Sequence, residues 1–335
     1  MNSYKTLFGQ IEQGLQSLEL SKVPKSGEFS FWDFDKTACN GYIFRLGIQD
    51  VSYPSLWIGG NETLNAKQTI WESRGVRATQ AQDFSGTTSS WIVIETEKLQ
   101  SPSIFISLAS SICAKCIDKK STSKEVVSAA LDEWREMFRY DSSGLGQHEL
   151  AGLVGELITL EGIAALHGSD ALETWHGPDR RCHDFSRGRQ AIETKTKTSM
   201  GLEVSINGLS QLEPPADGML ILRFIRLEES SDGNLSIPSL IKQICAYGPS
   251  LRRLEVAILK AGASFSQLSE PHILFRLLES AAYCVTEGFP RIIPSSFNDM
   301  RCPDGVAGIK YRTDLALAEK HRINETEYLA FLKTF

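Results

Sequence analysis

The chain has 335 residues, 41% of them hydrophobic and 23% charged, with a net charge of −6. That composition excludes a disordered chain, and the length suits two domains of roughly 100–200 residues each. An acidic total excludes a protein basic over its whole surface, so any nucleic-acid binding must be confined to one locally basic face.

In chain order, Leu7, Ile11, Leu15 and Leu18 recur at helical spacing and predict a helix over residues 1–20. The same segment lacks the basic start and unbroken apolar stretch of a signal peptide. No apolar run approaches the roughly 18 residues of a membrane span, and a cytoplasmic protein without membrane contact is expected. From 29 to 110, YIFRLGI, SLWIGG, SSWIVIE and SIFISLA are short, rich in Ile, Val and aromatics, and separated by turn residues, so they read as strands. FWDFDKT resembles the aspartate motif of haloacid-dehalogenase phosphatases, but the polar, alternating SGEFSFW before it is not a buried first strand, and an Asp-rich turn is the better reading. The seven cysteines, odd in number and scattered, do not suggest a disulfide framework. Cys113 and Cys116 form a CxxC with no second pair to complete a zinc site, so they read as half-buried helical cysteines. Residues 122–140 read as a helix opening on a Ser/Thr cap.

The polar, Gly-rich DSSGLGQ (141–147) is the expected boundary, dividing a β-rich N-terminal domain, 1–142, from a second domain, 143–335. HELAGLVGELITLEGIAALHG carries a broad apolar face, so a helix is expected, with Gly168 as its stop. After WHGPDRRCHDF come the turn SRGR and the strands QAIETKTKT and LEVSIN, with Gly188 suggesting a hairpin. GMLILRFIRLE reads as a buried strand, 236–247 and 268–282 as helices, and the C-terminal part as short strands with turns. The fold class is therefore α/β or α+β.

Hydrolysing a phosphodiester needs an activated water and neutralisation of charge on the phosphate. Carboxylates holding Mg²⁺, with a lysine nearby, supply both. The minimum pattern is an Asp followed by a strand carrying Glu-x-Lys. Asp184 stands in HDF, and Glu193-Thr194-Lys195 stands on the next strand, across SRGR. Residues two apart on a strand share a face, so Glu193 and Lys195 project together, a hairpin can bring Asp184 beside them, and Thr194 points into the opposite packing layer. Glu-x-Lys alone is most often a solvated strand face. Its setting argues for more: residues 176–200 hold six basic residues (Arg180, Arg181, Arg187, Arg189, Lys195, Lys197) and three acids (Asp179, Asp184, Glu193), a local +3 within a chain of −6. These arginines and Lys197 are the candidate DNA-binding residues. No G-x-S-x-G elbow is present.

The run GLVGELITLEG…WHGPDRRCHDFSRGRQAIETKTKTS resembles the PD-(D/E)XK family found in bacterial restriction and phage-defence gene clusters, with its pattern of roughly G-x-x-GEL…W-x-G-P…HDF…EVK. LSQLEPP and EGFPRI also resemble family segments, which extends the likeness from about 149 to 312. Thr194 replaces the common Val, and HDF stands where the class name has Pro-Asp. The resemblance implies a restriction-endonuclease-like αβββαβ core, Mg²⁺ with Mn²⁺ as a substitute, and double-stranded DNA as substrate. It implies Asp184 and Glu193 as metal ligands, Lys195 as the catalytic lysine, and Glu156 of GEL as a further acid in the metal shell. Glu156 as an ordinary helix-edge glutamate is the alternative. Glu161, mid-face on the helix, is a lesser site candidate. Gln211 matches a family glutamine that touches a phosphate or the metal's water, or else caps a loop. His183, next to Asp184, is expected to make a structural hydrogen bond on the other face. The function implied is a Mg²⁺-dependent DNA endonuclease of a restriction or anti-phage system, with an ATPase or helicase and a DNA methyltransferase as partners and a homo-oligomer left open. The alternative is a catalytically inactive DNA-binding subunit.

Overall fold

The computed structural model describes residues 2–20, 29–34, 42–49, 54–59, 68–73, 75–82, 90–96, 102–118, 123–139, 144–179, 181–269, 271, 273–298 and 302–335, and statements of number or absence below refer to these. The chain divides into two compact units, Met1–Asp141 and Ser142–Phe335.

In the first unit the apolar stripe of Leu7, Ile11, Leu15 and Leu18 is buried on helix α1 (Asn2–Leu20). Strands β1 (Phe29–Asp33), β2 (Ile43–Gln49), β3 (Pro54–Gly59), β4 (Thr69–Ser73), β5 (Val76–Gln82) and β6 (Ser90–Thr96) form an antiparallel sheet in the order β1-β2-β3-β6-β5-β4. Gly14 lets α1 settle on this sheet, since a Cβ there would lie 2.5 Å from the Trp32 ring and 2.8 Å from Leu46. Helices α2 (Pro102–Asp118) and α3 (Ser123–Arg139) follow. SIFISLA thus opens a helix rather than forming a strand: a short apolar run has no decisive period, and it is the continuation to Asp118 that makes it helical. Cys113 and Cys116 lie on that helix, fully buried rather than half-buried. Burial pushes the Cys116 thiol up to about 12. In FWDFDKT, Asp33 ends β1 and pairs with Arg45 at 2.5 Å, while Asp35 and Thr37 lie outside the described residues.

The second unit opens with α4 (Gln147–His167), closed by Gly168 at φ 58°. The short helix α5 (Ala171–Thr174) leads to β7 (Phe185–Arg187), β8 (Gln190–Lys197) and β9 (Glu203–Asn207). Then come β10 (Met219–Glu229), α6 (Ile237–Ala246), α7 (Leu251–Lys260), α8 (Phe265–Ser269), β11 (Phe275–Cys284), β12 (Lys310–Asp314), β13 (Arg322–Ile323) and α9 (Glu325–Thr334). The main sheet has the order β13-β11-β10-β8-β7, with β8 and β10 parallel and the other pairs antiparallel. Helix α4, strands β7, β8 and β10, helices α6 to α8 and strand β11 thus supply the expected αβββαβ succession. Strand β9 is an excursion that leaves the sheet to pair with β12.

β10 lies between two neighbours and is apolar on both faces, as a central strand must be. Leu220, Leu222 and Phe224 pack with Ala191, Tyr283, Val204, Ile206 and Leu212 on the face toward the small β9/β12 sheet. Of residues 268–282, expected as a helix, 268–269 end α8 and 275–282 lie in β11. The apolar spacing of FRLLESAAY imitates a helical period, but the segment supplies the antiparallel partner of β10 from Ile221 to Glu229. A second correction concerns α4. Residues Gln147–Thr174 are long and apolar enough to cross a membrane by length and composition, with Glu149, Glu156, Glu161, Asp170 and Glu173 spaced along them. The helix packs instead against β8, α6 and α9 as the central helix of its unit.

Candidate active site

Gly155 fixes how closely α4 approaches β8. A Cβ there would fall 1.8 Å from the Thr196 hydroxyl, so only glycine permits this separation. One turn on, the Thr159 hydroxyl meets that of Thr194 at 3.2 Å. This contact accounts for Thr where the family pattern has Val: the hydroxyl has a partner on the helix. Thr194 and Thr196 therefore face α4, and the alternation of the strand turns Glu193 and Lys195 to the other face, in register with Leu222 and Phe224 of β10.

β7 is only three residues long, and pairing ends at Phe185–Ile192, so β8 runs on beyond its neighbour. The exposed edge is closed by a side chain: the Thr194 amide donates to Asp184 Oδ2 at 2.8 Å. The Asp184 carbonyl in turn accepts from the amides of His176 (2.6 Å) and Gly177 (3.2 Å), which staples WHGP to HDF. From that staple the Trp175 indole N–H donates to Glu156 Oε2 at 2.8 Å. Gly177 leaves room for this carboxylate, because a Cβ there would lie 2.1 Å from the same oxygen. Glu156, Asp184 and Glu193, from a helix, a turn and a strand, thereby come within electrostatic range of one another and of Lys195.

Glu193 is 1% exposed, and Lys195 Nζ lies 2.8 Å from its Oε1. Both Glu193 oxygens are buried, and among the described residues Lys195 is the basic group that pairs with them. Burial, with the Asp184 carboxylate next in importance, pushes Glu193 up to about 8. Burial and the Asp184 charge hold Glu156 well above the usual carboxylate range, and burial raises Asp184, against the pull of Lys195 and of the Thr194 amide. Lys195 Nζ also donates to Gln211 Oε1 at 2.9 Å, and the Asn207 amide donates to the same oxygen at 2.8 Å. Gln211 thus caps the loop and holds the lysine together.

Three acids around one lysine form a site short of positive charge. Among the described residues no three His, Cys, Asp or Glu side chains are disposed to enclose an ion by themselves, so the expected three ligands do not form a closed cage. Glu156 has one oxygen engaged by the Trp175 indole. The Asp184–Glu193 pair suits Mg²⁺, which takes oxygen ligands, usually one or two carboxylates with water and phosphate completing the shell. The Glu193 carboxylate, buried and facing Asp184 with Lys195 as its cation, is the observation that fits such an ion.

The remaining expected residues are spread along the hairpin. Arg187 and Arg189 flank Gly188 at its exposed tip, about 13 Å along the strand from Glu193 at roughly 3.3 Å per residue. Arg187 lies 4.0 Å from Asp170. Arg181 is exposed, Arg180 lies outside the described residues, and Lys197 Nζ donates to the Glu203 carbonyl at 3.0 Å. The local +3 is therefore a stripe and not a cluster around the carboxylates. Glu161 is half-buried on α4, some 140° round the helix from Glu156 at about 100° per residue, and so faces elsewhere. His183 is buried and its Nε2 lies 3.0 Å from the Glu213 carbonyl, the structural bond expected of it. The literal Pro178-Asp179 belongs to another interaction, the pairing of Asp179 with Lys260. Trp175 and Gly177 were visible in the sequence only as part of a pattern, and only the folded contacts reveal what they do.

A family model described as "putative PD-(D/E)XK family member (DUF4420)" matches residues 44–316, and it extends well beyond the hairpin on both sides. No curated protein and no solved structure matches the chain.

Proposed function

The chain belongs to this PD-(D/E)XK family, whose members generally use divalent metal ions, and from that premise we propose that it is a Mg²⁺-dependent DNA endonuclease. The observation that carries the reading is the half-buried Asp184 beside the buried Glu193, with Lys195 on the same strand face as Glu193. Asp184 and Glu193 would hold the ion. When bound, such an ion polarises the phosphate and lowers the pKa of a coordinated water. The chain's own groups do the rest. Asp184 is fixed by the Thr194 amide, so its carboxylate has a set direction. Lys195 Nζ, steered by Gln211, is aimed beside Glu193, where it would orient the attacking water and offset charge on the phosphate. Glu156, held by Trp175, would accept a hydrogen bond or proton from a water at the rim. Arg187 and Arg189 at the hairpin tip and Lys197 at the far end would meet backbone phosphates on either side, as would Arg181.

The restriction or anti-phage role, and an ATPase or helicase and a methyltransferase as partners, belong to the same proposal and rest on the family likeness. The test is DNA cleavage by the purified chain, alone and with such partners, in Mg²⁺ or Mn²⁺ and in EDTA. Cleavage in metal alone is expected, with losses of several orders of magnitude for Glu193→Ala or Lys195→Ala, because such groups act as one unit. Undiminished activity in Glu193→Ala overturns the assignment. DNA binding without cleavage in any metal would favour an inactive subunit.

A further inference from the structure

The small β9/β12 sheet lies outside the five-stranded sheet, yet the site depends on it. Gln211, which holds Lys195, sits in a 3-10 turn (Ser210–Leu212) just after β9. That turn has an external fastening. Arg291, half-buried, donates from Nη1 to the Leu212 carbonyl at 2.7 Å. Arg291 is itself in an irregular segment, but β12 clamps that segment on both sides of it. The Tyr311 hydroxyl bridges the Ile292 amide (3.1 Å) and carbonyl (3.2 Å), and the Thr313 hydroxyl donates to the Pro290 carbonyl at 3.0 Å. Three successive residues, 290 to 292, are thus anchored, and the middle one reaches back to the turn beside Gln211. Tyr311 stands within electrostatic range of both Arg291 and Lys195, which places this clamp next to the lysine.

We infer that Arg291 is a positioning residue for the active-site lysine. It fixes the 210–212 turn from behind, so that Gln211 Oε1 stays where Lys195 Nζ can reach it while Lys195 faces Glu193. Arg291 acts through Gln211 and touches neither Lys195 nor the carboxylates. This also explains why LSQLE and EGFPRI, some 80 residues apart, belong to one site. A guanidinium suits the task, because burial lowers its proton affinity only from a very high starting point and it stays charged while one arm is sequestered. The inference rests on the nuclease reading only for what the lysine does, not for what holds it.

The experiment measures the acetylation rate of Lys195 in the full chain with N-hydroxysuccinimidyl acetate, read by peptide mass spectrometry, with Lys197 as internal reference. A lysine released from Gln211 is more reactive. Arg291→Gln should raise the Lys195/Lys197 ratio by about threefold to tenfold, as Gln211→Ala should, with no further rise in the double variant. Arg291→Lys, which keeps a charged donor, should restore part of the protection. Tyr311→Phe, which loosens the clamp without touching Arg291, should move the ratio in the same direction and serves if Arg291→Gln does not fold. An unchanged ratio in the folded variants overturns the inference. Where cleavage is measurable, Arg291→Gln should lower kcat with little change in KM. A rise in KM at constant kcat would make Arg291 a phosphate contact instead and would also overturn it. Absence of cleavage in the wild-type chain would sink the nuclease reading and leave the acetylation result decisive on its own.

Discussion

The two faces of strand β8 are built on opposite terms. Toward α4, Thr194 shares a hydrogen bond with Thr159, and Thr196 fills the space that Gly155 leaves; the Thr196 hydroxyl lacks a partner, but it is neutral. On the other face Glu193 is as buried as the isoleucine beside it, yet among the described residues Lys195 is the single cation set against three acids. Burying an unsatisfied hydroxyl costs a few kcal/mol at most, whereas a buried carboxylate without full compensation costs several or takes up a proton. One face is packed for stability and the other gives stability up, which locates the chemistry. A residue's contribution can therefore be sorted by what its replacement changes, melting temperature or turnover.

The packing face should respond in stability. Gly155→Ala would drive a methyl into the Thr196 hydroxyl, with Thr196 Cβ (3.0 Å) and Cγ2 (3.2 Å) close behind, and should cost about 1–3 kcal/mol. Calorimetry should record a fall of several degrees, and an unchanged melting temperature would mean that helix and strand are not in the contact described. On the charged face, Trp175→Phe keeps an aromatic ring but strips Glu156 of its donor. A hydrogen bond is worth about 0.5–1.5 kcal/mol, so cleavage should slow by roughly 2- to 10-fold at nearly constant stability. If the variant melts far lower and turns over normally, Trp175 belongs to the packing and not to the site. The smallest effect is expected for Thr194→Val, which swaps a hydroxyl for a methyl of similar size. Thr159 keeps its bond to the Gly155 carbonyl, so the loss should stay below about 1 kcal/mol by denaturant titration, with activity unchanged. A large loss of activity would show that the two faces are coupled.

Much of this could be read in the sequence, because periodicity and spacing are local. The α4 stripe, the Gly188 hairpin and the shared face of Glu193 and Lys195 all follow from the helix and strand repeats. What could not be read was set by tertiary pairing. β11 looks helical by spacing and is a strand because β10 needs a partner on that side. SIFISLA looks extended and is helical because the run continues. The basic window seemed a cluster when counted along the chain, but an extended strand spreads residues by about 3.3 Å each, so the hairpin tip is remote from the carboxylates. Trp175 on Glu156, and Arg291 behind Gln211, join residues 19 and 80 positions apart, and no local pattern encodes such contacts.

The central claim is that Glu193 is a buried acid whose charge awaits a cation. Its pKa rises from an ordinary 4.5 to about 8 in the folded chain, so between these values the folded protein holds a proton that the unfolded chain has released. The folded state then binds more protons, and its stability must fall as pH rises through that window, levelling off above it. The most direct measurement is the melting temperature of wild type and Glu193→Gln from pH 5 to 9, with and without 10 mM Mg²⁺, a concentration on the order of that needed for a weak site. Without Mg²⁺, wild type should lose stability relative to the Gln variant as pH rises from about 5 to 8. Mg²⁺ should recover that loss at pH 8 and above in wild type and leave the variant unmoved. Parallel pH profiles for the two proteins, with no Mg²⁺ shift in either, would contradict the account.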